Sequence, residues 1–375
     1  MSAGTGAAPG RRRPTVADVA REAGVSVATA GRALGNYGRV GDDLREQVQA
    51  AAERLGYSPN AVARSMRSGG TRSIGFVGAD ISNPYFATAM RGICDVAREQ
   101  GYEPILANSD DRLEVEHAAV SVLLDKQVEG IVVAPTSVTD VAHLERAKEL
   151  GVPIVLLDRH IGALEADSVV IDNEAAAYEA VAHLLGLGHR RVGLLACVDP
   201  AEGPELVART GTGRLTVRGA ARPSIDRIRG YLAAVDDHRA TSSADLIEYT
   251  PLSDAAQAQR RAEALLAQAE PPTAVFATDN VTTQGLFMAA RRRGLAIPAD
   301  VSLVGFDDLD WTTLVDPPLT VVAQSPLDMG RAAAVRLFER IKGDDRPAER
   351  IVLPTELVVR SSTAEHRHGV REHSG

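Results

Sequence analysis

The residues best placed for chemistry in this chain are polar groups at the ends of short apolar runs. Asp158-Arg159 ends one such run, Asp279-Asn280 follows Ala274–Ala277, and Phe306-Asp307-Asp308 follows Ser302–Gly305. Asn83-Pro84-Tyr85-Phe86 follows the first run, and Gln324 comes after the turn Pro317-Pro318-Leu319-Thr320. Carboxylates and amides so placed pair with hydroxyls, and an Arg pairs with hydroxyl, carboxylate or phosphate. Tyr85 and Phe86 offer faces on which a sugar ring or a base can stack, and Trp311, the single Trp, lies close after Asp307. Each polar residue could instead cap a helix, a reading strongest for Asp279 and Asp308. A second set, Val27, Ala28 and Thr29 with Arg32 one turn on, stands at the exposed start of a short helix. Arg can fork onto a guanine edge, whereas Val and Ala can touch only a thymine methyl.

This is binding chemistry. No Ser-His-Asp order, nucleophile elbow or metal-ligand cluster appears, and His117, His183 and His189 read as surface or packed residues. A dinucleotide enzyme needs G-x-G-x-x-G directly after a strand, but the first strand turn here reads G-A-D-I-S-N-P. Gly211-Thr212-Gly213 superficially resembles a phosphate-binding turn, yet it follows no clear strand and is assigned no nucleotide role. The expectation is a non-enzyme that needs no cofactor and no metal.

The elements that must position these residues begin at Thr15. In T-V-A-D, Thr15 reads as an N-cap with an acid three residues on. A short helix to about Ala23 follows, Gly24 allows a turn, and Ser26 caps a second helix from Val27 to about Leu34. That is a helix-turn-helix, whose second helix can enter a major groove. A third helix, about Asp43 to Leu55, presents Leu44, Val48, Ala51, Ala52 and Leu55 on one apolar face. In Tyr57-Ser58-Pro59-Asn60, Ser58 reads as an N-cap and Pro59 as the first helical residue. The helix Ala61 to Arg67 places Val62 and Met66 on one face and leaves Arg64 and Arg67 free. It is too short to be stable alone in water.

After Gly69-Gly70-Thr71, apolar strands alternate with helices as far as Gly305, which predicts parallel sheets covered on both faces. The strands are too many for one unit, so two doubly wound subdomains with a cleft at the strand carboxyl ends are expected. Between Ala196 and Arg227 lie thirty residues rich in Gly, Pro and Arg, read as an insertion at the cleft mouth or a long mobile loop.

Three stretches, T-V-A-D-V-A-R-E-A-G-V-S-V-A-T, L-G-Y-S-P-N-A-V-A-R-S and S-I-G-F-V, make the chain resemble the lactose/galactose repressor family of bacterial transcription regulators, over nearly its whole length. The resemblance implies an α/β fold: a helix-turn-helix head and hinge helix, then two doubly wound parallel-sheet subdomains similar to periplasmic sugar-binding proteins. It implies three chain crossings, placed near Val170–Asp172, Phe306–Asp308 and Val322–Ser325. It puts Val27, Ala28 and Arg32 at base-reading positions, and Met66 where the family carries a Leu that wedges the minor groove. Arg227, three residues before Gly230-Tyr231, matches the family's effector-binding Arg. Gly31 stands where the family usually has Ser, Gly35 where Asn is frequent, and Gly41 where a capping Ser is usual.

The expected organisation is therefore a disordered basic arm (1–13), a DNA-binding head (14–58), a hinge (59–71), an effector-binding and dimerisation domain (72–362) and a polar tail (363–375). Within that domain the first subdomain is expected at about 72–170 plus 308–323, the second at about 171–306 plus 324–362. Candidate DNA contacts are Thr15, Ser26, Val27, Ala28, Thr29 and Arg32 in the head, with Asn60, Ala63, Arg64 and Met66 in the hinge. Candidate effector contacts are Tyr85, Phe86, Asp158, Arg159 and Arg227, with Asp279, Asp307, Trp311 and Gln324 from the later strand ends.

Charge supports the division. The net charge of −9 argues against nucleic-acid binding until the chain is split. Residues 11–72 hold eleven Arg, no Lys and six acids, or +5, and the remainder carries −14. A basic head on an acidic body confines DNA contact to the first 70 residues or so. Two cysteines without metal-ligand spacing read as buried free thiols of a reducing cytoplasm. The three N-terminal arginines have no apolar segment behind them, so they are not a secretory signal. The expected function is a sequence-specific repressor gated by a small effector, a sugar or sugar derivative, at a palindromic operator. Two heads are needed for two half-sites, and the tail lacks heptad leucines, so a cytoplasmic homodimer with no membrane partner is expected. A transporter's solute-binding protein is the alternative, followed by a dinucleotide-dependent enzyme.

Overall fold

The computed structural model describes residues 14–35, 38–57, 70–211, 214–251 and 254–366. The chain divides into two compact units, residues 1–72 and 73–375.

In the head, α1 (Val16–Glu22), α2 (Val27–Leu34) and α3 (Asp42–Leu55) follow the expected pattern. Thr15 and Asp18 form a reciprocal capping box, Gly24 turns the chain at φ +62°, and Ser26 accepts from the Thr29 N–H at 3.1 Å. Val19, Ala20, Ala30, Ala33, Val48 and Ala51 close the three-helix core. Gly41 heads α3 with no side-chain cap. The hinge candidates Asn60, Ala63, Arg64 and Met66 lie outside the described residues.

The second unit has two lobes. The first sheet contains β1 (Ser73–Gly78), β2 (Glu103–Asn108), β3 (Ile131–Val133), β4 (Ile154–Leu157), β5 (Asp167–Ile171) and β13 (Arg350–Leu353), in the order β13-β5-β4-β3-β1-β2. The second contains β6 (Val192–Cys197), β9 (Ile247–Thr250), β10 (Ala274–Ala277), β11 (Ser302–Phe306), β12 (Thr320–Ala323) and β14 (Glu356–Val358), in the order β14-β12-β11-β10-β6-β9. All described pairings within these two sheets are parallel except β14 on β12. Central strands such as β3, β4 and β6 are buried along their whole length, as doubly covered parallel strands must be.

Two helix pairs set the shape of the lobes. In the first, α4 (Pro84–Glu99) packs on α13 (Pro326–Ile341); in the second, α7 (Asn173–Gly186) packs on α9 (Pro223–Asp237). Each contact needs glycine. A Cβ on Gly92 would lie 2.2 Å from the Leu327 carbonyl oxygen, one on Gly330 1.9 Å from that of Ala89, and one on Gly230 2.1 Å from that of Glu174. The helices approach until backbone meets backbone.

The expected lobe boundaries require correction. The chain crosses between lobes at 171–173 and 323–326, as anticipated, but the third crossing is at 353–356 and not at Phe306–Asp308. Segment 308–323 belongs to the second lobe, because β12 pairs with β11. Segment 326–353 belongs to the first, because α13 packs on α4 and β13 pairs with β5. Asp167 anchors that return. Its carboxylate, 1% exposed, receives Arg336 Nε at 3.0 Å, Arg340 Nε at 2.7 Å and the Glu349 N–H at 2.8 Å. Burial alone would raise its pKa, but the hydrogen bonds from Arg340, Glu349 and Arg336 outweigh burial and hold it below the usual range.

The stretch after β6 is an ordered insertion. It forms a single helical turn, α8 (Gly203–Leu206), and an antiparallel hairpin of β7 (Val207–Arg209) and β8 (Leu215–Val217). Gly203 lies flat on the Tyr249 ring, where a Cβ would meet ring carbons at 2.2 Å. Of the Gly211-Thr212-Gly213 stretch, residues 212 and 213 lie outside the described residues. Two further helices, α10 (Ala255–Leu266) and α11 (Asn280–Arg292), cover the other face of the second sheet.

Candidate functional site

In the head, the start of α2 presents Val27, half exposed at 51%, with Ala28 and Arg32 exposed beside it. Thr29 and Ser26 face each other, their hydroxyls 2.8 Å apart, and Ser26 also serves to cap the helix. Thr15 spends its hydroxyl on Asp18 at 2.7 Å. An exposed aliphatic residue with an Arg one turn on is a surface that can touch a thymine methyl and fork onto a guanine.

In the second unit a cleft of about 680 Å³ opens at the carboxyl ends of the strands of both sheets. The first lobe contributes Tyr85 and Phe86 from α4, with rings edge-to-face at 4.9 Å, and Asp158 and Arg159 after β4. The second contributes Arg227 from α9, Asp279 before α11 and Asp307 after β11, and Gln324 sits at a crossing.

Arg227 is the best-fixed of these groups. It is 6% exposed, donates through Nε to Asn173 Oδ1 at 2.8 Å and through a terminal nitrogen to the Thr278 carbonyl, and lies 3.6 Å over the Phe306 ring. Asp307 accepts from Gln324 Nε2 at 2.6 Å and from the Asn280 N–H at 3.3 Å. Burial raises the Asp307 pKa; Arg227 and the Gln324 hydrogen bond offset part of the shift. Burial likewise raises that of Asp158, against Arg159 and Arg227. Burial first, then the Asp158 and Asp307 carboxylates, push the Tyr85 hydroxyl well above its usual range, so it stays a donor. Both acids have left-handed backbones, φ +69° at Asp158 and +71° at Asp307. This strained conformation thus occurs at matching strand ends of the two lobes.

Arg159 donates to Asp111 at 2.9 Å and to the Pro135 and Thr136 carbonyls at 2.7 and 3.2 Å. The Thr136 N–H is in turn held at 2.6 Å by the fully buried Glu116, which also meets His143 Nε2 at 2.6 Å.

The pattern of the bacterial regulatory proteins, lacI family, matches residues 15–60, and that of the periplasmic binding protein-like domain matches 181–363. The HTH-type transcriptional regulator DegA of Bacillus subtilis (strain 168) is 32% identical over 94% of this chain and 98% of its own length. Catabolite control protein A of Priestia megaterium is 34% identical over 93% of this chain and 99% of its own. The chain belongs to the LacI family. Among solved structures, a transcriptional regulator CelR–cellobiose complex superposes with a TM-score of 0.66 at 27% identity, covering 93% of this chain and all of that one. As a LacI-family protein, this is a DNA-binding transcriptional regulator.

Within this LacI-family frame, the strand-end residues converge: Tyr85, Phe86, Asp158, Arg159, Arg227, Asp279, Asp307 and Gln324 all line the one cleft. Trp311 does not. It stands on the short helix α12 (Asp310–Leu314), and its Nε1 donates to Asn280 Oδ1 at 3.0 Å. Asp279 lines the cleft and also caps α11, accepting from the Thr282 N–H at 2.7 Å. Asp308 turns away to Arg360 at 2.7 Å. His189 is a packed residue, held between Thr273 and Ser302 at 2.8 and 3.1 Å. Sequence reasoning missed Asp111 and Thr136, although the same strand-end rule applied to β2 and β3 finds both. It also missed Asn173, which only its contact with Arg227 reveals.

Proposed function

We propose that this protein is a repressor whose operator affinity is set by a small, carbohydrate-like effector bound in the cleft between the lobes. The observation that carries this is the convergence of Asp158 and Tyr85 from one lobe with Arg227 and Asp307 from the other, in a chain whose head is a helix-turn-helix. Hydrogen-bonding groups from both walls make closure the arrangement a polyhydroxyl ligand favours, and a ligand shifts a conformational equilibrium only by such differential contact. The cellobiose complex of CelR supports a sugar as ligand class. Two heads on one palindromic operator imply a homodimer acting in the cytoplasm, where the DNA is. The protein acts by binding, not by catalysis, in keeping with relatives that are named regulators.

The test uses the full-length chain. A thermal-shift screen against neutral mono- and disaccharides and nucleosides identifies an effector, and fluorescence anisotropy on a selected operator measures affinity with and without it. The expected result is a ligand that both raises the melting temperature and changes operator affinity. A ligand that stabilises the protein but leaves operator affinity unchanged would overturn the gating.

A further inference from the structure

The residues lining the cleft carry eight carboxylates and three guanidiniums. Each guanidinium is already engaged. Arg159 is held by Asp111 and two carbonyls, and Arg222 pairs with Glu202 at 2.9 Å across the base of the insertion. Arg227 is tied to Asn173 and the Thr278 carbonyl, with Asp158 and Asp307 near enough to feel its charge. Several carboxylates, by contrast, meet only neutral donors in this structure. Asp110 accepts from the Asn108 amide, Asp199 from the Ala201 N–H at 2.8 Å, and Asp279 from Thr282. An entering anion would meet Arg159 and Arg222 already neutralised by Asp111 and Glu202, and Arg227 bonded to a side-chain amide and a carbonyl, inside a site whose summed charge repels it.

A second observation comes from Gln324. Its Nε2 is taken by Asp307, and its buried Oε1 has no hydrogen-bond partner. That atom needs a donor. A hydroxyl or an ammonium supplies one, so this atom calls for a hydroxyl- or amine-bearing ligand, and the charge of the lining decides between a neutral sugar and its acid or phosphate.

We infer that the cleft selects its effector by charge, admitting an uncharged or cationic polyhydroxyl compound and rejecting sugar phosphates and sugar acids. The inference rests on the reading of the cleft as the effector site. The insertion takes part in the selection, because it brings Asp199 and Glu202 to the mouth.

Two arms test it on the full-length chain. In the first, Ser82, an exposed residue of the cleft wall, is changed to Cys in a Cys94→Ser background. The thiol is then modified with methanethiosulfonates of similar size carrying either a trimethylammonium or a sulfonate group, and the parent lacking Ser82→Cys supplies the background from Cys197. Each rate is divided by that of the same reagent with a small free thiol, and on this scale the cationic reagent is expected to be favoured about tenfold or more at low salt, the ratio shrinking with ionic strength. Asp110→Asn with Asp199→Asn should lower the ratio. Equal rates, or a faster sulfonate, would overturn the inference whether or not any sugar binds. In the second arm, calorimetry compares glucose with glucosamine, glucose 6-phosphate and gluconate, and ribose with ribose 5-phosphate. A phosphate or acid that binds more tightly than its neutral parent overturns the inference. A cation-favouring ratio with no binding anywhere in the panel leaves the charge selection standing and counts against the effector-site reading instead.

Discussion

Asp307 combines a left-handed backbone with a buried carboxyl whose ionisation is unfavourable. Asp and Asn are among the few side chains that tolerate the left-handed region, so Asn is the informative replacement and Ala would add backbone strain of about 1 kcal/mol or more. The linkage sign follows from the raised pKa. Between the unfolded value of about 3.9 and the higher folded one, the folded chain binds more protons. The stability this residue contributes is therefore present below that unfolded value and lost as pH rises through the folded pKa. Asp307→Asn should melt at or above the wild type at pH 7, with the advantage fading as both are acidified toward pH 4. A variant clearly less stable at pH 7 would mean that the ionised carboxylate is a net stabiliser. In the head, Arg32→Ala should weaken specific operator binding by ~1–3 kcal/mol and relax preference at one base pair of each half-site. Competition with unrelated DNA decides: an equal loss on both would make Arg32 a phosphate contact.

At the scale of elements, Gly92 and Gly330 let α4 and α13 meet backbone to backbone. Gly330→Ala should destabilise the protein by roughly 1–3 kcal/mol, the usual penalty of overpacking, and denaturant melts measure it directly. Gly41→Ser works the other way. Nothing lies within 4 Å of the added Cβ, and a capping hydroxyl on α3 should gain a few tenths of a kcal/mol. The strands of the two main sheets up to β11 and most of the cleft lining were legible because parallel strands read as apolar runs ending in polar residues, whereas the β7–β8 hairpin inside the insertion was not. The return segment was not. β12 (T-V-V-A) and β13 (R-I-V-L) are equally short apolar runs, and neither carries a local sign of which sheet it joins. That choice is made by distant partners, Arg336 and Arg340 on Asp167 and the two helix glycines. Trp311 was drawn to the cleft by nearness in sequence to Asp307, but the helix it stands on turns it toward Asn280.

At the scale of the molecule, one helix-turn-helix reads one half-site, so repression at a palindrome needs two chains. Light scattering should give twice the 39.6 kDa chain mass; a monomer at micromolar concentration or a stable tetramer would reject the dimer. Gating belongs to the same scale. The lobes are joined at three crossings, and Gln324, on one of them, is bonded to Asp307 in the cleft. A ligand that engages Asp307 therefore acts on a residue of the linker as well as on both walls. Asp307→Asn keeps a group of the same shape but loses the charge, so it should remove the response to effector without removing the head. By anisotropy, the variant should bind operator as the unliganded wild type does and show the same affinity when effector is added. If the effector is a corepressor, both unliganded proteins bind weakly and only the wild type tightens. A variant that still responds fully to the effector would place the coupling contact elsewhere than Asp307.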